Sequence, residues 1–374
     1  MRKLDRAPSG IKISGEVIGD TAGMIADYDR AKTAPITGNF CGLRQLDMTI
    51  GGSKNKELWV HAAYSGHLKS TFALNWAYHL AIFYQTSSVF FSLEMNYEQV
   101  RRQLATMHSF HFKFRDVRAR LGLQNEQTGD VGLDYAKVRK GTLPPKEEEF
   151  YRNYVVPDLD DERNGYGRIH VEVRDPNQTQ YTLEDMQEAA ERIYEQDPFR
   201  KVFVDHSLLL DSRERRINTS DRVAEVLKDL KNLARGFRGG AGTDITVLHQ
   251  INRPGYADAL RKKEQGLLPR YNPTNLSQSS GTEQNADVIT TSWIDEDLRR
   301  KHHILFDCLK AREDDLVPPF LANVRWPCPR VVTCAEQITV VPASGTTAAK
   351  RRAPKIVGTE VFNILGAQTT PAQA

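Results

Sequence analysis

Four short segments of the chain carry side chains suited to holding a metal-bound triphosphate. In Ala62–Thr71 (AAYSGHLKST), a turn containing Gly66 leads into Lys69 and Ser70 at the start of a run of helical composition. Backbone N–H groups at a helix start cradle phosphate oxygens, a lysine reaches the outer phosphates and a hydroxyl binds magnesium. On that reading Ser65, Gly66, His67, Leu68, Lys69, Ser70 and Thr71 form the cradle for ATP, and Ser70 is a ligand of Mg2+. The usual motif has glycine directly before the lysine, and here Leu68 stands there. Glycine lets the backbone adopt conformations that a side chain resists, so a leucine narrows or reshapes the loop. Taken alone, GHLKST is also compatible with a chance Gly-x-x-Lys-Ser.

Asp205 closes an apolar run in VFVDHS, the position of an acid that holds magnesium at a strand end. The plain alternative is an aspartate capping the next loop. Glu94, in SLEMNYEQ, follows another apolar run and sits where ligands of open α/β sheets collect. A carboxylate there can orient and deprotonate an attacking water, or it can simply favour a helix start through the helix dipole. Gln250 ends a third run, VLHQINR, where a neutral amide can sense the γ-phosphate and relay its state. By itself a glutamine at that place means little.

These residues need strands to carry them. Glu57–Ala63, Ser88–Leu93, Arg168–Val173, Lys201–Leu210, Ile245–Leu248, Val288–Thr291, Ile304–Leu309 and Phe320–Val324 read as short buried strands. Helices are expected over Thr71–Tyr84, Tyr97–His108 and Asp221–Phe237. A further helix runs from the start signal Thr182/Asp185 through Tyr194. The segment Asp221–Phe237 has apolar residues at the 3.6-residue period. Continuous apolar strands alternating with helices imply an α/β fold with a mostly parallel sheet covered on both faces. Residues 109–165 read as polar, charged and irregular. Residues 1–37 read as an arm or linker with a short helix near Met24–Lys32, residues 38–326 as the compact domain, and residues 327–374 as a mobile tail. The tail carries a basic cluster, Lys350, Arg351, Arg352 and Lys355, which could touch DNA or be merely solvated.

With 51 basic and 48 acidic residues the net charge is only +3, so a nucleic-acid site must come from local arrangement. No apolar stretch is long enough to span a membrane, and the first residues lack the apolar centre of a signal peptide. Cys41, Cys308, Cys328 and Cys334 fit neither a zinc spacing nor a disulfide framework, which points to free thiols in a reducing cytoplasm.

Several segments together resemble the C-terminal motor domain of DnaB-type replicative DNA helicases. ITGNFCGLRQLDMTIGG is similar to that domain's opening, FSLEMNYEQV to its strand-plus-glutamate motif and VFVDHSLLL to its magnesium-aspartate strand. LKDLKNLARGF resembles the helix that follows, VLHQINR the glutamine sensor strand, and SSGTEQNADVI the segment after the DNA-facing loop. They run in the family's order from about Gly38 to Trp326. The resemblance implies a RecA-like P-loop fold and an ATP-dependent ring helicase, a hexamer moving on single-stranded DNA in replication. It also implies that Lys310 and Arg312, in CLKAREDD, complete the neighbouring subunit's nucleotide site. Two exposed cations near Glu313 and Asp314 are the alternative. In the DNA-facing loop, Ser277, Gln278 and Ser280 stand where the family has an arginine, an acid and a glycine, with Gly281 following. Such a loop can still bond phosphates through hydroxyl, amide and backbone groups, without the fixed charge. Arg253, Arg261, Lys262 and Lys263, in what reads as the preceding loop, could compensate. The family's N-terminal collar domain is expected to be absent, as in a shortened phage-type or plasmid-type version working in the cytoplasm of a bacterial host. A primase or a helicase loader is an expected partner. The rival readings are a nucleotide-dependent DNA-binding ring with little or no turnover, and a strand-exchange filament of the same fold.

Overall fold

Strand ends decide the architecture, because the candidate residues all hang from them. The computed structural model describes residues 18, 20–33, 38–123, 132–175, 177–178, 180–206, 210, 219–273, 276, 280–334, 336–341 and 355–361. The strands are β1 Leu58–Ala63, β2 Ser88–Ser92, β3 Ile169–Val173, β4 Lys201–Asp205, β5 Asp244–Gln250, β6 Val288–Trp293, β7 His303–Ala311, β8 Phe320–Arg325 and β9 Arg330–Thr333, followed by β10 Glu336–Val341 and β11 Lys355–Val361. The helices are α1 Thr21–Thr33, α2 Arg44–Ile50, α3 Lys69–Tyr84, α4 Tyr97–His108, α5 Arg115–Leu121, α6 Tyr135–Lys140, α7 Pro145–Phe150, α8 Val156–Asp160, α9 Leu183–Gln196, α10 Thr219–Gly240, α11 Arg253–Glu264, α12 Ser280–Asn285 and α13 Glu296–Arg300.

Nine strands form one sheet in the order β3-β2-β4-β5-β1-β6-β7-β8-β9. Pairing is parallel from β3 through β6 and antiparallel from β6 to β9. The sheet is therefore mostly parallel, as the apolar runs imply. Alternate side chains enter two cores, one on each face. Leu58, Val60, Ala62, Val89, Phe91, Val202 and Val204 pack with α9 and α10, whereas Trp59, Phe90, Phe203 and Leu248 pack with α2 and α3. Every residue of β1, β2 and β4 is buried, which is why these strands read as unbroken apolar runs.

Helix starts follow side-chain chemistry. Thr182 and Asp185 form the expected capping box at α9, and Asn96 with Gln99 forms another at α4. Residues 109–165 are not irregular. Helices α5 to α8 enclose a small core of Phe114, Leu133, Phe150 and Val155. This core is tied to the main body through the buried His108, whose Nε2 meets Asp158 at 2.8 Å and whose Nδ1 meets the Tyr78 hydroxyl at 2.9 Å. The sheet also does not stop at Trp326, since β9 pairs with β8, and β10 with β11 forms a separate antiparallel two-stranded sheet. Arg253, Arg261, Lys262 and Lys263 belong to a helix, α11, rather than a loop. Of the tail's basic cluster, Lys350, Arg351 and Arg352 lie outside the described residues.

All four cysteines are buried free thiols. No helix among the described residues is long and apolar enough to cross a membrane.

His61 and His108 are among the histidines buried as neutral rings. His61, inside β1, contacts the Thr290 and Ser292 hydroxyls at 3.0 and 3.2 Å, and burial pushes its pKa down to about 3. Burial likewise pushes His108 down to about 4, against the pull of Asp158. The unfolded chain takes up these protons below about pH 6.5, whereas the folded chain does not. Stability is thus full above about pH 6.5 and lost as pH falls toward about 4. Denaturant melts at pH 7 and pH 5 should show a loss on the order of 1–2 kcal/mol per histidine, and His61→Asn should shrink that difference.

Candidate functional site

Register places the chemistry along one edge of the sheet. Ala63 of β1 is level with Gln250 of β5 and with Ser292 of β6, and Ser92 of β2 is level with Asp205 of β4. Backbone bonds lock these ends together: the Leu93 N–H donates to the Asp205 carbonyl at 2.8 Å, and the Ile251 N–H donates to the Ala63 carbonyl at 3.0 Å.

The phosphate loop leaves β1 at Ala63 and enters α3 at Lys69 and Ser70. Counting back six residues from the lysine, the motif's first glycine position holds Ala63. Its second holds Leu68, which sits in the left-handed region at φ 63°, ψ 27°. That backbone normally costs a residue with a side chain about 1–2 kcal/mol. Leu68 is half-buried and packs against the core beside α3, which offsets part of that cost. The turn is completed by Gly66 at φ 78°.

Asp205 is fully buried, and neither carboxylate oxygen has a hydrogen-bonding partner among the described residues. Burial raises its pKa to about 6; the nearby Ser70 hydroxyl lowers it, Glu94 raises it and Lys69 lowers it. An aspartate that caps a loop would spend its oxygens on backbone N–H groups. A buried carboxylate with no backbone donor and only a nearby hydroxyl is instead what a cation site requires. Lys69 is pulled below its ordinary pKa by burial, with Asp205 and Glu94 acting in the other direction. The ammonium therefore lies in the field of both acids.

Glu94 is exposed and lies two residues before Asn96, the cap of α4, so it is not a helix-start residue. Its Oε2 is 4.0 Å from Nε2 of His206. Gln250 is the last residue of β5.

Lys310 and Arg312 lie at the far edge. Lys310 is level with Ile289 and Ala311 with Val288, at the start of β6. That edge is about 17 Å from the phosphate loop, the length of a strand such as β1. Lys310 donates to the carbonyls of Glu283 and Ala286 at 2.5 and 2.7 Å. Arg312 donates to the Gln284 carbonyl at 3.0 Å and pairs with Asp287 at 3.2 Å. They do not pair with Glu313 or Asp314; Asp314 is taken by Lys54 at 2.8 Å. The two cations cannot serve their own chain's phosphate loop.

The expected DNA-facing residues divide. Ser277 and Gln278 lie outside the described residues, and Ser280 is the first residue of α12. Gly281 is buried, and a Cβ there would overlap Ala224 of α10, so the missing side chain serves helix packing. Arg253 is exposed and, among the described residues, is in no ion pair. Lys262 pairs with Asp258 at 2.8 Å, Arg261 with Asp258 at 3.2 Å, and Lys263 with Asp295 and Asp297 at 2.9 and 2.8 Å, which neutralises most of the expected compensation.

A family model described as the DnaB-like helicase C terminal domain matches residues 38–313. This chain belongs to that family. The replicative DNA helicase DnaB of Buchnera aphidicola subsp. Acyrthosiphon pisum is 25% identical over 298 residues, covering 79% of this chain and 54% of the relative. DnaB of Leifsonia xyli subsp. xyli is 24% identical over 292 residues, covering 78% and 53%. The chain thus spans about half the length of the curated relatives it matches. Among solved structures, a DnaB-like replicative helicase described with its interactions with primase aligns at TM-score 0.65 with 17% identity, over 84% of this chain and 68% of that one. A second solved structure, described as an ATPase domain, aligns at TM-score 0.62 with 16% identity, over 86% and 100%. The chain shares the RecA-like α/β fold of both.

Relative to this DnaB-like frame, motif reading alone passes over Asp287. Buried before β6, it accepts the Leu58 N–H at 2.8 Å and holds both Lys231 and Arg312. The acid directly preceding an apolar strand in NADVIT is the signal that could have flagged it. Substituting Gly281→Ala should destabilise the fold by about 1–3 kcal/mol through overpacking against α10, read as a lower denaturation midpoint; an unchanged midpoint would remove the packing role.

Proposed function

We propose that this chain is the motor of an ATP-driven ring helicase that moves on single-stranded DNA during replication. The buried, unpartnered carboxylate of Asp205 beside Lys69 and Ser70 carries the reading. Asp205 and Ser70 would hold a magnesium ion, which when bound neutralises charge on the β- and γ-phosphates. Lys69 would reach the outer phosphates from the start of α3. Glu94, exposed at the end of β2, would accept the proton of the attacking water. Gln250, level with the phosphate loop, would report the γ-phosphate to α11 and the DNA-facing segment.

The far-edge position of Lys310 and Arg312 supports a closed oligomer, a hexamer in the family resemblance, in which one protomer's cations neutralise the phosphoryl group bound by the next. Arg253 and the residues from Ser277 to Ser280 are proposed as DNA contacts. A primase or a helicase loader is the proposed protein partner.

A second reading, a DNA-binding ring that hydrolyses ATP weakly, is favoured by one observation: Leu68 occupies the left-handed position where glycine is usual. ATPase assays with and without single-stranded DNA separate the two. Under the first, Lys69→Ala abolishes nucleotide binding, while Glu94→Gln retains it and loses turnover by about a hundredfold or more. Unchanged turnover in Glu94→Gln would end its assignment as base. Under the second, basal turnover is slow and Leu68→Gly raises it by about tenfold, the equivalent of about 1.4 kcal/mol of barrier. Mixing Lys69→Ala with Arg312→Ala should restore some activity in a ring, because wild-type half-sites then meet at some boundaries.

A further inference from the structure

Five rings close around the base of the phosphate loop. Tyr64, the first residue after β1, stacks on Tyr256 with centroids 4.1 Å apart and planes at 17°. Tyr256 in turn stacks on Trp293, the last residue of β6, at 5.2 Å and 20°. His67 stands edge-on to all three, at 5.8 Å from Tyr64, 5.7 Å from Tyr256 and 5.2 Å from Trp293. The Tyr271 hydroxyl is 3.4 Å from Nδ1 of His67, and the His67 carbonyl accepts the Ser292 hydroxyl at 3.1 Å. Burial, with the charge on Lys69, keeps the His67 ring neutral with a pKa of about 4.

The stack and His67 join three separate parts of the chain, with Tyr271 as a fourth. Tyr64 and His67 are in the loop that leads to Lys69. Trp293 belongs to the rigid sheet. Tyr256 lies in the first turn of α11, whose cap, Asn252, follows Gln250 by two residues and accepts the Gly255 N–H at 2.7 Å. Ile251, between Gln250 and that cap, makes a β-bridge to Leu276, the residue before the 277–279 segment. A loop that lacks both motif glycines cannot hold its shape by backbone freedom alone, and this one is held from outside by flat rings. Close packing on both sides of the Tyr256 ring leaves it little room, so a rotation of α11 must shift Tyr64 or break the stack.

We propose that Tyr256 is a positioning residue that couples DNA engagement at α11 to the conformation of the phosphate loop through the Tyr64–Tyr256–Trp293 stack. This rests on the ATP- and DNA-dependent reading given above. The path is distinct from that of Gln250, which would sense phosphate from β5; the stack acts on the loop that presents Lys69. Ordering of α11 by DNA fixes Tyr256, which fixes Tyr64 and the loop, and nucleotide binding has the reciprocal effect on DNA affinity.

The test uses the intact chain with oligo-dT as the DNA. The readout is the ratio of DNA-stimulated to basal ATPase rate, with KM and kcat determined separately. Tyr256→Phe keeps the ring and is expected to keep the ratio. Tyr256→Ala is expected to lower it by about fivefold or more, and to weaken by a similar factor the gain in oligo-dT affinity produced by a non-hydrolysable ATP analogue. Tyr64→Leu, at the other end of the same contact, should reproduce the effect and serves if Tyr256→Ala does not fold. A merely structural role would lower basal and stimulated rates together and leave the ratio intact, and that result overturns the proposal. Equal losses in Tyr256→Phe and Tyr256→Ala overturn it as well. A wild-type protein without any DNA stimulation would instead sink the functional reading beneath it, and the two failures are told apart by the wild-type control.

Discussion

Parallel pairing in register brings the last residues of β1, β2, β4 and β5 to one edge of the sheet, and every group in the proposed nucleotide site hangs from that alignment. A parallel sheet points all its carbonyl ends the same way, so side chains far apart in sequence share one surface. Asp205 is shut away from solvent because it ends a strand buried on both faces, with only the Ser70 hydroxyl near its carboxylate as a donor. Lys69 and Ser70 reach the same edge because α3 starts there. A one-residue slip between β2 and β4 would turn Asp205 or its neighbours to the other face and dissolve the constellation.

The opposite edge is built on different physics. There Asp287 gathers a strand N–H, a lysine and an arginine around one carboxylate. Buried charge of this kind is costly unless each oxygen is engaged, and here the engagement fixes where β7 and its cations lie relative to β1. Lys310 adds a second anchor by sitting on the carbonyls at the end of α12. The cations are consequently held at the end of the sheet remote from their own chain's phosphate loop.

Most of the sheet, and the strand ends that carry the candidate site, were legible in the sequence, because buried strands print themselves as apolar runs and their terminal acids stand out against that background. VFVDHS and SLEMNYEQ are readable for this reason. What stayed hidden depends on contacts between distant segments. The core of Phe114, Leu133, Phe150 and Val155 uses single apolar residues spread over many polar ones, so no period announces it. Helix α11 begins with Arg-Pro-Gly and is mostly charged, which reads as a turn; its burial rests on Gly255 and Ala259. β9 follows two prolines and a cysteine, and only its pairing with β8 makes it a strand. The rings around His67 come from four separate stretches and could not be brought together by reading any one of them. The steric crowding by Ala224 that demands glycine at position 281 is likewise invisible in the motif around it.

β1 has a consequence beyond its pairing. Its first N–H is bonded to the carboxylate that holds Arg312, and its last residue opens the phosphate loop, with every residue between them buried. A strand so enclosed has no slack, since close-packed interiors transmit displacement rather than absorb it. In the ring proposed above, each protomer would then act as a rod with a socket at one tip and a key at the other. In a circular assembly of such rods, tightening at one joint tilts a whole member and resets the next joint, so the firing order would be written into the length of a single strand.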